Sequence, residues 1–219
     1  MKGTIAWQTD PAWPHNVPEL EIDLDRTALL VVDMQNPDTY DDIAPNCAEL
    51  LDFFRGNSLE TVYLRVGYFL EDRRDMHLKR AASWLRRADG SAPVKLRGTG
   101  DHQIIDRLTP ESGEMVIDKN STSAFNSSAL EQYLHARQIE SMVVCGTATA
   151  HCVDNTARGA ADRGYNVILV DDACHDASDR FHAATMRSFR RDFGAVKSTE
   201  QVVSELSAIA GARTAERGA

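Results

Sequence analysis

Short, continuous runs of apolar residues recur along the chain, and longer segments with apolar residues at helical spacing separate them. The first run, residues 28–33, is rich in leucine and valine, as expected for a strand buried on both faces of a sheet. Five similar runs complete a set of six predicted strands, at residues 61–66, 114–118, 141–145, 166–171 and 195–197.

The segments between these strands carry helix signals. Residues 43–57 have apolar side chains at helical spacing, Ser128 and Glu131 form a capping-box pattern, and Ser178 is a candidate N-cap. Predicted helices cover residues 43–57, 75–88, 152–163, 178–193 and 198–210, and a further helix opens at Ser128 with Leu130, Tyr133 and Leu134 on one side. This alternation predicts an α/β fold, a three-layer α/β/α arrangement around a six-stranded, mostly parallel, doubly wound sheet.

The 219 residues fit one domain with a sizeable core. Within it, we expect residues 1–26 to form an extended, proline-bearing arm. Residues 67–112 are irregular, and such an insertion in an α/β chain typically forms a lid and the substrate walls. Residues 211–219 are expected to be a flexible tail.

Three chemically capable side chains follow three of the predicted strands. Asp33 comes after the first strand, Lys119 after the third and Cys152 after the fourth. Ligands of open parallel sheets bind beyond the carboxyl ends of the strands, at the point where the strand order reverses. The pattern therefore predicts that these three residues meet at one rim.

Cys152 lies where an apolar strand and a turn of small residues lead into a predicted helix, which Gly164 ends. The N-terminal field of a helix favours a thiolate, and its unpaired N–H groups can hold an oxyanion. A cysteine at such a position is also commonly a buried packing residue. The surrounding motif favours a nucleophile.

Composition excludes several classes of function. The chain is 42% hydrophobic and 26% charged, and its net charge of −9 argues against nucleic acid or an anionic membrane as a partner. No apolar run approaches the roughly 20 residues of a membrane span, and the N-terminal residues lack the apolar core of an export signal. The four cysteines show no metal or redox spacing, so we expect reduced thiols in the cytoplasm.

Three motifs of the chain resemble those of the isochorismatase-like cysteine hydrolases. They are Val-Val-Asp-Met-Gln-Asn around Asp33, Val-Ile-Asp-Lys-Asn-Ser-Thr-Ser-Ala-Phe around Lys119, and Gly-Thr-Ala-Thr-Ala-His-Cys-Val around Cys152. That superfamily includes nicotinamidases, N-carbamoylsarcosine amidases, biuret hydrolases and ureidoacrylate amidohydrolases. The resemblance runs from about Thr27 to Leu206, with matching order and spacing.

The resemblance implies a mechanism that agrees with the chemistry of these residues. Cys152 attacks the carbonyl carbon of a small amide, ureide or carbamoyl compound and forms a thioester, while Asp33 moves protons and Lys119 holds the carboxylate. A cis peptide maps onto Thr147–Ala148, and the N–H groups of Ala148 and Cys152 would form the oxyanion hole.

Substrate contacts are expected from the segments that line the pocket in this superfamily. Arg65 would pair with a substrate carboxylate or with the acidic Glu71–Asp72 stretch, and His151 would donate to a leaving group or remain exposed. The complete set of candidates is Gln35, Tyr40, Arg65, Phe125, Thr149 and His151.

The chain departs from the family pattern at two places. After Asp-Met-Gln, many members have an aromatic pocket wall, which here is rebuilt, with Tyr40 as the candidate ring. Nicotinamidases carry Asp-x-His metal ligands directly after the second strand, whereas the nearest such pattern here, Asp75-Met76-His77, falls about ten residues later. We therefore expect no metal, no cofactor and no nicotinamidase activity.

Two other functions remain open from the sequence. An isochorismatase-type vinyl-ether hydrolase would use the aspartate without the thiol, and a non-catalytic member would serve as a binding subunit. The presence of Asp33, Lys119 and Cys152 together argues against both. We expect a small-molecule substrate and a homo-oligomer, a dimer or a tetramer, with the 67–112 segment near the interface.

Overall fold

A six-stranded parallel sheet organises the protein. The computed structural model describes residues 2–7, 19–76 and 95–217. The sheet consists of β3 (Thr27–Val32), β4 (Glu60–Val66), β5 (Met115–Lys119), β6 (Ser141–Thr147), β7 (Asn166–His175) and β8 (Ala195–Lys197), in the order β5-β4-β3-β6-β7-β8. All five neighbouring pairs are parallel, as the apolar runs predict.

Helices cover both faces of this sheet. They are α1 (Ala44–Gly56), α2 (Ala124–Ser127), α3 (Leu130–Ala136), α4 (Asp154–Ala161), α5 (Asp179–Asp192) and α6 (Thr199–Arg217). Short 3₁₀ helices occupy Leu24–Arg26, Gly100–His102 and Asp106–Leu108, and a π-helical turn occupies Thr149–Val153. In the described part of the chain, no helix is long and apolar enough to cross a membrane.

The alternation of side chains along each strand divides the core in two. Leu29 and Val31 of β3 face one cluster, which α1 and α6 cover, while Leu30 and Val32 face the other, which α2 to α5 cover. Burial on both faces explains why the strand sequences are continuously apolar. The three-layer α/β/α fold predicted from the sequence is confirmed.

The strand order places the functional edge of the sheet. The chain leaves β3 towards β4 and β5, then crosses back to β6 on the other side of β3. The order therefore reverses between β3 and β6, which is where open α/β sheets form their ligand crevice. Asp33 ends one of these two strands and the Cys152 turn follows the other.

Several local predictions differ from the structure. Part of the N-terminal arm is a two-stranded antiparallel sheet, β1 (Lys2–Ala6) with β2 (Glu19–Asp23). Helix α6 continues to Arg217, because Gly211 does not end it and the following residues are largely good helix formers. Most of the helix predicted at 75–88 lies outside the described residues.

The helix caps agree with the sequence in one case and not in another. The Ser178 side chain accepts a hydrogen bond from the Phe181 N–H, so the predicted cap of α5 is confirmed. The capping box at Ser128–Glu131 is wrong, since α3 begins after Ala129 without a side-chain cap. The Ser128 hydroxyl donates to the Ala124 carbonyl and accepts from the Leu130 N–H at 3.2 Å, and not from the Glu131 N–H as the box requires.

Candidate active site

The chain enters the candidate site through a glycine that no other residue can replace without movement. Gly146 has φ +117°, and a Cβ built there would lie 2.1 Å from the carbonyl oxygen of Val32 on the neighbouring strand. The Thr147–Ala148 peptide that follows is cis. The π-helical turn Thr149–Val153 then carries Cys152 to the carboxyl edge of the sheet.

Asp33, Lys119 and Cys152 meet at this edge, as the strand order requires. Lys119 Nζ donates to Asp33 Oδ2 at 2.8 Å and to Cys152 Sγ at 3.1 Å. All three side chains are almost completely removed from solvent, with exposures of 0% for Lys119, 3% for Asp33 and 4% for Cys152. A third bond, from Lys119 Nζ to the Ser121 carbonyl at 3.1 Å, completes the donor capacity of the ammonium.

Asp33 reaches the other two residues because its backbone departs from strand geometry. It follows β3 with φ +51°, and its N–H donates to the Leu64 carbonyl at 2.9 Å. Simple alternation would send its side chain to the sheet face opposite Lys119, and the left-handed conformation redirects it. Asp33 Oδ1 is buried and accepts no hydrogen bond from the part of the chain that the structure describes. This oxygen is therefore available to a proton or a ligand.

The electrostatics of the site correct one expectation. Burial and the neighbouring Asp33 carboxylate raise the pKa of the Cys152 thiol to about 12, although Lys119 acts in the opposite direction. Burial lowers the pKa of Lys119, but the charges of Asp33 and Cys152 outweigh it and hold the pKa above its ordinary value. The resting site thus contains a thiol, not the thiolate that the helix field was expected to favour.

The two N–H groups predicted to form an oxyanion hole belong to one turn. The Ala148 carbonyl accepts from His151 N–H at 3.0 Å and from Val153 N–H at 3.3 Å, so the turn folds back on Ala148. Ala148 is partly exposed and Cys152 is buried. Their role towards a ligand stays a prediction.

Three of the predicted substrate contacts have polar atoms that are bonded to other protein groups, and their contact with a substrate stays a prediction. Gln35 is fully buried and bonds the Val66 N–H and the carbonyls of Val66 and His102. Thr149 is also fully buried, with its hydroxyl 2.9 Å from His182 Nδ1.

Arg65 is the third. It lies opposite Asp118 in the β4–β5 register, on the sheet face away from Lys119, and its guanidinium contacts the Asp118 carboxylate at 2.8 Å. The expected pairing with Glu71–Asp72 is therefore replaced by a cross-strand ion pair.

Two further candidates, Phe125 and His151, differ in their exposure to solvent. Phe125 packs against Tyr165 and under the Arg163 guanidinium, and its contact with a substrate stays a prediction. His151 is exposed directly before the nucleophile, and its contact with a substrate stays a prediction.

Tyr40 does lie next to residues 148–153, the segment that carries the candidate nucleophile Cys152 and that we call the nucleophile turn. It is half-buried with φ +51°, and its hydroxyl donates to Asp38 Oδ2 at 3.3 Å. With Thr147 and Ala148, it lines an open cavity of about 640 Å³. The remaining lining residues are Asp38, Thr39, Asp41, Asp42, His175 and Ala177, which make this cavity acidic.

Sequence reasoning missed a second lysine in the electrostatic environment of the site. Burial lowers the pKa of Lys95, while the charges of Asp33, Asp38 and Cys152 act on its ammonium in the opposite direction. Lys95 is held by a hydrogen bond from the Tyr68 N–H to its carbonyl, 2.8 Å long. It follows an irregular segment without periodicity, so the sequence carried no signal for its position.

The surroundings of the nucleophile turn were also missed. His182 connects Thr149 to Asp171, and Asp176 accepts from the Ala150 N–H at 2.8 Å. A signal did exist, because His182 lies in the first turn of α5, at the same edge of the sheet as Cys152. Cys174 is buried like Cys47 and Cys145.

Metal-binding side chains do not cluster in the described residues, where no group of three or more His, Cys, Asp and Glu side chains could hold an ion. His77, part of the Asp-x-His pattern, lies outside the described residues. Asp75, from the same pattern, accepts hydrogen bonds from the N–H groups of Phe69 and Leu70.

Comparison with known proteins identifies the family. A model of the isochorismatase domain matches residues 27–201. Ureidoacrylate amidohydrolase RutB from Acinetobacter baylyi is 30% identical over 203 residues, covering 82% of this chain and 83% of that protein. The isochorismatase family protein YwoC from Bacillus subtilis is 27% identical over 191 residues, covering 85% of this chain and 97% of that protein.

Solved structures agree. A cysteine hydrolase from Pseudomonas syringae has a TM-score of 0.76 at 25% identity, covering 85% of this chain and 95% of that one. N-carbamoylsarcosine amidase from Thermoplasma acidophilum shares the fold, with a TM-score of 0.66 at 24% identity, covering 80% of this chain and 96% of that one. The match over the sheet, the nucleophile turn and the helices between them shows that this chain belongs to the isochorismatase family of hydrolases.

Proposed function

We propose that the protein is a metal-independent cysteine amidohydrolase that cleaves a C–N bond of a small amide, ureide or carbamoyl compound. The observation that carries the proposal is the buried contact of one ammonium, Lys119, with both the Asp33 carboxylate and the Cys152 sulfur. The similarity to an amidohydrolase at 30% identity supports the same class of reaction.

Acylation begins from the neutral thiol. Asp33 takes the proton of Cys152 Sγ–H as the sulfur attacks the substrate carbonyl carbon, because the raised pKa of Cys152 leaves little free thiolate. The carbonyl oxygen becomes an oxyanion, for which the N–H groups of Ala148 and Cys152 are the candidate donors. When the oxyanion collapses, the C–N bond breaks, and protonated Asp33 gives its proton to the leaving nitrogen.

Deacylation uses the same groups in reverse. A water molecule attacks the thioester carbon while Asp33 takes one of its protons, and the C–S bond breaks as that proton returns to the sulfur. The products are a carboxylic or carbamic acid and an amine or ammonia, so one water molecule is consumed per bond cleaved. Lys119 remains protonated throughout and balances the negative charge as it moves between Asp33 and Cys152.

The first test is ammonia or amine release from a panel of small amides, ureides and carbamoyl acids. We expect the wild type to release ammonia or amine from at least one class and Cys152→Ala to lose that activity at least about 10³-fold. Cys174→Ala is the matched control, because it removes another buried thiol that lies in β7 outside the three-residue site.

Two outcomes would contradict the proposal. Turnover of a vinyl ether that survives in Cys152→Ala would indicate the isochorismatase-type reaction, which does not need the thiol. If no compound of the panel releases ammonia or amine, and iodoacetamide labels Cys152 no faster than the other three cysteines, a non-catalytic binding subunit is favoured.

A further inference from the structure

Three side chains join the nucleophile turn to the elements beside it, and the reaction outlined above does not use them. Thr149 Oγ1 lies 2.9 Å from His182 Nδ1, and His182 Nε2 lies 2.9 Å from Asp171 Oδ1. Thr149 belongs to the π-helical turn, His182 to α5 and Asp171 to β7. We call these three side chains the Thr149 anchor.

The hydrogen-bond direction in the Thr149 anchor follows from its acid. The Asp171 carboxylate can only accept, so His182 Nε2 carries a hydrogen. In the neutral imidazole, Nδ1 is then an acceptor, and the Thr149 hydroxyl donates to it. This bond is shielded from competition with water at one end, because Thr149 is fully buried.

The position of Thr149 connects the Thr149 anchor to the candidate oxyanion hole. Thr149 is bonded directly to Ala148, whose N–H is a candidate oxyanion donor, and it precedes Cys152 by three residues. Cys152 has supports of its own, namely the bond from Lys119 and burial in the second core cluster. Ala148 is partly exposed at the cavity and has a fixed residue on each side. The Thr147 hydroxyl, 3.3 Å from the His175 carbonyl, fixes the chain before Ala148, and the anchored Thr149 side chain fixes it after Ala148.

We propose that His182 is a positioning residue, which, oriented by Asp171, holds Thr149 and thereby aims the Ala148 N–H at the developing oxyanion. The inference rests on the proposed function. It assigns to His182 an effect on the transition state and not on substrate binding or on the sulfur, because none of the three anchor side chains contacts Cys152 Sγ or Asp33 in the described residues.

The test separates the oxyanion donor from the nucleophile. Alkylation of Cys152 by iodoacetamide is displacement at a saturated carbon and forms no oxyanion, whereas turnover of the amide does. We expect Thr149→Val and His182→Ala each to lower kcat about tenfold to hundredfold, with KM changed less than about twofold. The alkylation rate of Cys152, located by peptide mass spectrometry, stays within about threefold of the wild type.

Further variants identify the bond that is responsible. Thr149→Ser restores the hydroxyl and should recover kcat, and the double variant Thr149→Val with His182→Ala should be no slower than the slower single variant. Thr156→Val is the matched control, because Thr156 is an equally buried threonine of α4 whose hydroxyl is bonded elsewhere. Its kcat should equal that of the wild type.

An independent readout uses the imidazole itself. At a pH about two units above the ordinary imidazole pKa, ¹⁵N spectra should show His182 as the Nε2–H tautomer, and Thr149→Val should shift only the Nδ1 resonance. This measurement needs no substrate. Wild-type protein without turnover would therefore overturn the proposed function while the spectrum still decides whether the Thr149 anchor exists.

Three results would overturn the inference. The first is an equal kcat for Thr149→Val and Thr149→Ser. The second is a loss of alkylation rate as large as the loss of kcat, which would mean that the whole turn has moved. The third is a His182 spectrum with the hydrogen on Nδ1.

Discussion

At the scale of single residues, the site is a buried ion pair with a thiol beside it. Asp33 and Lys119 are both almost fully removed from water, where neither charge is tolerated alone. Their contact at 2.8 Å pairs the two groups, and the sulfur lies against the same ammonium. The arrangement thus places a carboxylate and a thiol of raised pKa on one buried ammonium.

We expect Lys119→Met to lower kcat/KM about 100- to 1,000-fold, because the substitution removes the positive charge that is bonded to both partners. Without the ammonium, thiolate formation beside the Asp33 carboxylate is harder, so the pKa of Cys152 rises further. The measurement is the pH dependence of Cys152 alkylation, in which the rise of the rate with pH should shift to higher pH.

Lys197→Met is the matched control for this prediction. Lys197 is another buried lysine, with 5% exposure, and it pairs with Glu205 at 2.8 Å. Its replacement should affect the free energy of unfolding and leave the alkylation profile in place. A profile that is the same in Lys119→Met and in the wild type would contradict the electrostatic role of Lys119.

At the scale of elements, the site depends on the close approach of β6 to β3. The Cα of Gly146 lies so near the Val32 backbone that a side chain has no space, and its φ of +117° is one that other residues avoid. The segment that carries Cys152 begins directly after this contact, at Thr147. The glycine in the Gly-Thr-Ala-Thr-Ala-His-Cys motif is therefore required for the packing of β6 against β3, whatever its effect on the reaction.

We expect Gly146→Ala to destabilise the protein by at least about 3 kcal/mol, the combined effect of a strained backbone and a clash with Val32 O. Urea unfolding followed by circular dichroism measures the change. Gly56→Ala, at the end of α1, is the control, because nothing lies within 4 Å of its added Cβ. Similar stabilities for the two variants would show that β6 can move away from β3 without cost.

At the scale of the whole molecule, the net charge is negative and acidic side chains line the cavity next to Ala148. The net charge is −9, and three aspartates, Asp38, Asp41 and Asp42, line the cavity beside Ala148. Arg65, the cation expected to attract an anionic substrate, is bound to Asp118 on the other face of the sheet. Among the described residues, Lys95 is a second lysine whose ammonium feels the charges of Asp33 and Cys152.

We expect the protein to be a homo-oligomer in solution, with the segment between β4 and β5 near the interface. This segment carries the exposed apolar side chains Phe69 and Leu70 at the site edge of the sheet. Size-exclusion chromatography with light scattering should give a mass of at least twice the 24.2 kDa of one chain. A mass of one chain at micromolar concentration would contradict this expectation.

The sequence by itself determined the architecture and the grouping of Asp33, Lys119 and Cys152. Apolar runs for strands buried on both faces and helical spacing between them are local signals, so the six strands and the three-layer fold follow from the pattern. Strand ends in a parallel sheet share one edge, which is why Asp33, Lys119 and Cys152 could be grouped without coordinates. Gly164, with φ +88° after α4, is equally a local signal and was predicted correctly.

Tertiary structure alone decided which candidate side chains are bonded within the protein and how burial shifts the pKa of the thiol. Arg65, Gln35 and Thr149 have polar atoms that suit a ligand, yet each is bonded to a protein group distant in sequence, which no local pattern encodes. The pKa of Cys152 depends likewise on its burial and on Asp33, 119 residues earlier in the chain. Residue type and period are properties of a segment, whereas hydrogen-bond partners and desolvation are properties of the folded chain.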